Sequence, residues 1–188
     1  MLDGASTRDD TLAAVESADF ILLAHSAALT DDLLRAARSV RLIQITSAGF
    51  DAVNVGLAGQ LGIPVATNGG ANAIPVAEFA VTLMLATLRH LVVLDRETRA
   101  GRWMPDWASG GNTYELSGKT VGIIGAGRIG TTVARLLRGF DAPLLYTDPV
   151  ASSAAESHGA QRVSLDALLA GADIVTVHVP PSLATPKP

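Results

Sequence analysis

The sequence contains no cysteine, which excludes disulfides, thiolate metal ligands and a cysteine nucleophile together. It has no cluster of Lys and Arg either. Basic residues number 14 against 18 acidic ones, for a formal net charge of −4, so no surface offers itself to a run of phosphates and no nucleic-acid partner is expected. Long apolar runs are missing too. Glu78 and Arg89 bracket the longest candidate, which falls short of the ~18 residues needed to cross a bilayer, and no signal-peptide pattern opens the sequence. A soluble, cytoplasmic protein with no membrane partner and no assigned metal site is the expectation. What is present, 188 residues that are 48% hydrophobic and 17% charged, suits one or two small globular domains.

The most informative stretch is Thr120 to Gly130. Val121-Gly122-Ile123-Ile124 reads as a strand buried on both faces, and Gly125, Gly127 and Gly130 form G-x-G-x-x-G at its end. Each glycine has a reason to be there: Gly125 for a tight exit from the strand, Gly127 so that the backbone can approach a pyrophosphate, Gly130 so that the next helix lies close to the sheet. A helix over Thr131–Phe140 and a strand over Leu144–Thr147 follow. Asp148 then stands 18 residues past Gly130, near the offset at which an acid accepts hydrogen bonds from the adenosine ribose of NAD. Pro149 and Val150 follow with no Arg for a 2′-phosphate, which favours NAD over NADP. Alone, the glycine spacing also fits a structural turn; the ordered set of strand, glycines, helix, strand and Asp points to dinucleotide binding.

The same alternation runs through the first part of the chain. A short helix over Thr11–Ser17 leads to a buried strand at Phe20–Ala24, a helix from Thr30 to Arg38, a strand at Arg41–Thr46, a helix over Val53–Leu61 and a short strand at Ile63–Ala66. Strands and helices alternating at such intervals predict parallel sheets with helices on their faces, an α/β fold. Asn68 to Ala73 is a glycine-rich hinge, placing the domains at 1–71 and 72–188. Beyond it, Pro75 opens one long apolar helix through Leu94, either a core helix or one that also buries a face against a second subunit. Arg102 to Thr113 is irregular, with Trp103 and Trp107 in need of cover. After Asp148, a polar helix at Ala151–Gly159, a short helix at Leu165–Ala170 and a buried strand at Asp173–Val179 complete the pattern.

Several of these stretches together resemble one family, the D-isomer-specific 2-hydroxyacid dehydrogenases, whose members include phosphoglycerate, hydroxypyruvate and D-lactate dehydrogenases. They are Ser47-Ala48-Gly49-Phe50-Asp51, Asn72 through Val76-Ala77-Glu78, Gly125 to Gly130 with Asp148, and His178-Val179-Pro180. The resemblance implies a Rossmann NAD-binding domain and an incomplete flavodoxin-like substrate domain, with the active site in the cleft between them. It implies a cofactor-binding loop from Gly125 to Gly130 in which Gly127, Arg128 and Ile129 meet the pyrophosphate, with Asp148 on the ribose. His178, Val179, Pro180 and Thr185 would line the adenosine side, and Val76 would approach the nicotinamide. The backbone of Ala48 and Gly49 would hold the carboxylate of a small 2-hydroxy or 2-oxo acid. Apart from the resemblance, the long apolar helix and the two tryptophans lead to the expectation of a homodimer.

The family's catalytic Arg, Glu and His match no residue of this sequence, and a first strand and helix are expected ahead of Met1. The expectation is therefore a partial chain of an NAD-dependent oxidoreductase, inactive by itself; the alternative is an NAD-sensing, corepressor-like binding module without catalysis. Of the remaining polar residues, His178 belongs to the cofactor loop rather than to catalysis, and His25 is either a strand-end cap or a cleft residue. His90 is expected on the surface or at a helix C-terminus, and His158 on a solvated helix. Glu78 is read as a first-turn structural carboxylate and Asp51 as the cap of the helix after it.

Overall fold

The computed structural model describes residues 7–24, 29–103 and 113–179. The chain divides into two compact units, Met1–Asn72 and Ala73–Pro188. In the first, helix α1 (Arg8–Ser17) starts with a capping box in which Thr7 and Asp10 each satisfy the other's backbone N–H, two of the donors that a helix start leaves without partners. Strand β1 (Phe20–Leu23), helix α2 (Asp31–Ala36), strand β2 (Leu42–Ile45), helix α3 (Val55–Gln60) and strand β3 (Val65–Thr67) follow, giving a parallel sheet in the order β1-β2-β3. Its core holds Leu34, Ile43, Ile45 and Ala58, all at or near zero exposure.

Two details of this unit depart from the sequence reading. The apolar run in β1 is not buried on both faces: Leu23 faces the core while Phe20 and Leu22 are 61% and 72% exposed. β1 lies at the edge of the sheet, and on the exposed face Arg41 lies over the Phe20 ring at 5.5 Å. The cap of α3 is Asn54 rather than Asp51. Its side chain accepts the N–H of Leu57 at 3.0 Å and donates to both carboxylate oxygens of Asp31.

The second unit opens with helix α4 (Ala73–Leu88) and helix α5 (Leu91–Arg99), where the sequence reading expected one helix to Leu94. The break is at His90, which takes the left-handed conformation at φ 49, and the two axes bend by 63°. Left-handed backbone costs a non-glycine residue roughly 1–2 kcal/mol, and it turns the amphipathic α5 away from the line of α4. Pro75 sits in the first turn of α4, where no intrahelical N–H bond is lost. Glu78 lies in α4 but beyond that turn, so it is not the first-turn carboxylate that the sequence suggests. Among the described residues no single helix is long and apolar enough to cross a membrane.

Strand β4 (Val121–Ile124), helix α6 (Arg128–Leu137) with a 3-10 turn (Arg138–Phe140), strand β5 (Leu144–Thr147), helix α7 (Ser153–Glu156), strand β6 (Ala160–Arg162), helix α8 (Leu165–Gly171) and strand β7 (Ile174–Val177) complete the chain. They form a second parallel sheet in the order β6-β5-β4-β7. Val121, Ile123, Val133, Leu137 and Tyr146 make its core, with α4 packed against it through Ala77, Val81 and Met84. The expected helix over Ala151–Gly159 shrinks to one turn and gives way to β6, because Gly159 takes φ 88 and Ala160 pairs with Leu144. The expected burial of β7 is also corrected: it forms a sheet edge, and Val177 on its outer side is 59% exposed.

Candidate functional site

The second sheet places its first strand, β4, between β5 and β7. From β4 the chain moves outward through β5 to β6 and then returns to the opposite side of β4 to form β7. The order of succession therefore reverses between β4 and β7, and such a switch point opens a crevice at the carboxyl ends of the strands. Gly125 and His178 end the two strands that flank it.

The three glycines meet three different demands there. Gly125 has φ 93, and a Cβ on it would come within 2.7 Å of the His178 carbonyl oxygen; its N–H donates to Thr147 O at 2.9 Å. A Cβ on Gly130 would stand 2.0 Å from the Gly125 carbonyl oxygen and 3.1 Å from Ile123 Cγ2, so α6 can lie against the turn only without a side chain here. Gly127 is the N-cap of α6, and a Cβ there would meet nothing within 4 Å. The space beside it is open. Arg128 and Ile129 form the first turn of α6, where helix N–H groups lack intrahelical acceptors and the dipole favours an anion. The Thr131 hydroxyl donates to Ala126 O at 3.0 Å and closes the turn from behind.

Asp148 stands at the end of β5. One carboxylate oxygen accepts the Ala126 N–H and the other the Val150 N–H, both at 2.9 Å. A carboxylate offers about four acceptor positions, so each oxygen keeps one for a further donor. Beneath it, the buried Tyr146 hydroxyl accepts the Ser152 N–H at 2.9 Å and donates to Glu156 at 2.7 Å. The sequence reading found no Arg following Asp148. The fold brings one from the neighbouring strand: Arg162 on β6 donates through Nη2 to the carbonyl oxygens of Asp148 and Pro149, both at 2.9 Å.

On the other side of the crevice, the His178 N–H donates to Ile124 O at 2.8 Å, and its Nε2 lies 2.9 Å from the Thr176 hydroxyl. Partial burial holds the imidazole below its ordinary pKa. Val179 follows, whereas Pro180, Thr185, His25 and Trp107 lie outside the described residues. His178 and Val76 line one cavity of about 470 Å³ between α4 and β7, with Phe79, Leu83, Val175 and Val177. Ala48 and Gly49 are exposed at the carboxyl end of β2 in the first unit, where the Ser47 hydroxyl donates to Gly49 O at 3.0 Å. His158 is not on a solvated helix: it follows the single turn of α7, and its Nδ1 is buried without a hydrogen-bond partner.

Sequence reasoning missed Gly122. A Cβ there would stand 2.5 Å from Leu168 Cδ2 and 3.0 Å from the Ala172 Cβ, so this glycine admits α8 onto the sheet. A glycine inside an apolar strand was the available signal. Arg162 left no local signal, as it reaches its partners only through the pairing of Tyr146 with Arg162 across β5 and β6.

A parallel sheet with the switch point beside its first strand, a glycine turn entering a helix at that strand's end, and an acid at the tip of the next strand define a Rossmann-type dinucleotide-binding domain. Residues 81–187 match the family model for the D-isomer specific 2-hydroxyacid dehydrogenase NAD binding domain, and the chain belongs to that family. It is 34% identical over 175 residues to D-3-phosphoglycerate dehydrogenase of Archaeoglobus fulgidus, covering 93% of this chain and 33% of that one. With glyoxylate reductase of Thermofilum pendens it is 34% identical, over 95% of this chain and 53% of the relative. The fold superposes with a TM-score of 0.83 and 28% identity on D-lactate dehydrogenase from Aquifex aeolicus complexed with NAD and lactic acid, covering 91% of this chain and 51% of that one. The chain thus spans between a third and about half the length of these relatives. Its residues fit the family's cofactor: open space at Gly127, an anion-favouring helix start and spare acceptor positions on Asp148 lie together at the crevice.

Proposed function

We propose that this chain supplies the NAD-binding residues, and part of the substrate-binding residues, of an oxidoreductase acting on the CH–OH group of a small D-2-hydroxy acid, with reversible reduction of the 2-oxo acid. In this reading the second unit holds the cofactor and the first is part of the substrate domain. Gly127, Arg128 and Ile129 hold the pyrophosphate in a cofactor-binding loop shaped by Gly125 and Gly130, and Asp148 accepts from the ribose hydroxyls. His178 and Val179, with Pro180 and Thr185, line the adenosine side, and Val76 approaches the nicotinamide. The amides of Ala48 and Gly49 take the substrate carboxylate. NAD, when bound, supplies the hydride acceptor.

None of these residues is assigned the proton transfer, and the family's Arg, Glu and His match none of them, so binding without turnover is expected of the chain by itself. A homodimer is part of the proposal, supported by the 82% exposure of Trp103 and by the uncovered Phe79 and Leu83 on α4.

The observation that carries the reading is Asp148 bonded to the glycine turn while keeping acceptor capacity at the crevice. Titration with NADH, followed by nicotinamide fluorescence, tests it. Saturable binding in the micromolar range, with a rise in melting temperature as ligand binds the folded state, is expected. Absence of both would remove the cofactor assignment, and normal oxidation of D-2-hydroxy acids by this chain would remove the assignment of inactivity.

A further inference from the structure

Arg162 is an exposed residue on the third strand of its sheet in order of succession, 14 residues beyond Asp148. Its guanidinium, though exposed, is hydrogen-bonded to the fold. It reaches across the sheet end and places Nη2 on two successive carbonyl oxygens, those of Asp148 and Pro149. Those carbonyls belong to the segment that leaves β5, and no strand ladder satisfies them there.

The same segment is held at two further points. The Val150 N–H is fixed by the Asp148 carboxylate, and the Ser152 N–H by the hydroxyl of Tyr146, the residue that pairs with Arg162 across the two strands. The three anchors set the peptide planes from 148 to 152. With Asp148 O and Pro149 O drawn to the guanidinium, the next amide, that of Val150, faces the carboxylate. The carboxylate is thereby tied to the segment that leaves β5 by Oδ1 and to the glycine turn by Oδ2. Its rotamer is set before any ligand arrives, and a group held in its binding geometry loses less conformational freedom on binding. A planar guanidinium suits this work because one nitrogen presents two hydrogens in a fixed fork.

We propose that Arg162 is a positioning residue for the adenosine ribose: it acts through the Asp148–Pro149 backbone to hold the Asp148 carboxylate where it accepts the 2′-hydroxyl. The inference rests on the cofactor reading above and deepens it. Arg162 touches no part of the ligand in this account.

The test compares NAD with 2′-deoxy-NAD by isothermal titration, on the wild type and on Arg162→Gln. In the wild type, NAD should bind about tenfold tighter than the deoxy compound, a difference of about 1.4 kcal/mol. In Arg162→Gln the ratio should shrink to about two, chiefly through weaker NAD binding, while the affinity for 2′-deoxy-NAD stays within about twofold. A merely structural role would weaken both ligands alike and leave the ratio near ten. That result, or an unchanged affinity for both, overturns the proposal. If Arg162→Gln does not fold, Arg162→Lys is measured by the same ratio with the same two outcomes. A wild type that binds neither ligand overturns the cofactor reading itself; one that discriminates while Arg162→Gln discriminates equally overturns only the role of Arg162.

Discussion

The carboxylate of Asp148 accepts the amide hydrogen of Ala126 at 2.9 Å, so the tip of β5 is tied to the glycine turn at the end of β4. The acid expected to hold a ribose is also a structural brace of the loop expected to hold a pyrophosphate. Two parts of the proposed cofactor site are thereby fixed to each other, and disturbing either should be felt at the other.

Asp148→Asn tests this coupling. The amide keeps one oxygen but turns an NH2 group toward a backbone N–H, so one brace is lost along with the charge. NADH affinity should fall by about 10- to 100-fold, the worth of a charge-assisted hydrogen bond. Fluorescence titration measures the affinity, and hydrogen exchange at Ala126 or Val150 should quicken in the same variant.

Gly127→Ala and Gly130→Ala should fail in different ways. A methyl at 127 enters open space, so the melting temperature should hold within about 2 °C while NADH affinity drops at least about tenfold. A methyl at 130 would lie 2.0 Å from a backbone oxygen, forcing α6 off the turn at a cost of about 1–3 kcal/mol or more. Thermal melts and NADH titrations on both variants separate the two cases. Equal loss of stability in the two would contradict the geometry.

Tyr146→Phe removes the hydroxyl that joins Ser152 N–H to Glu156 and leaves a part-buried donor without its acceptor. The melting temperature should fall by roughly 2–6 °C, as calorimetry would show.

The His178 imidazole, held below its ordinary pKa by burial, gives stability a definite pH dependence. Between the lowered folded value and the unfolded value of about 6.5, the unfolded chain binds a proton that the folded one refuses. Stability therefore declines as pH falls below about 6.5 and levels off beneath the folded value. Urea midpoints measured from pH 8 to 5 should show this decline, and His178→Gln should flatten it.

Much of the candidate site was legible because its signals are local. Glycines at positions 125, 127 and 130 act through sterics over a few bonds, and an apolar run followed by Asp148 marks a strand and its end. The β4, β5 and α6 segments were read with only small boundary differences. Where reading failed, the deciding partner was distant. The apolar β1 and β7 look buried, yet each has one face left exposed by the packing of other segments, and the expected Ala151–Gly159 helix shortens before a strand that pairs with β5. His90 interrupts what hydropathy presents as one continuous helix.

By itself, the order of residues determined the alternation of strands and helices, the phosphate-type turn and the acid after the next strand, since each depends on backbone sterics and periodicity within about 20 residues. Only the tertiary structure decided which strand faces are covered, that Gly122 admits α8, and that Arg162 comes to rest on the carbonyls of Asp148 and Pro149. Those outcomes depend on pairing and packing between segments far apart in the chain. Such contacts form only when the whole sheet closes, and no short window of sequence records them.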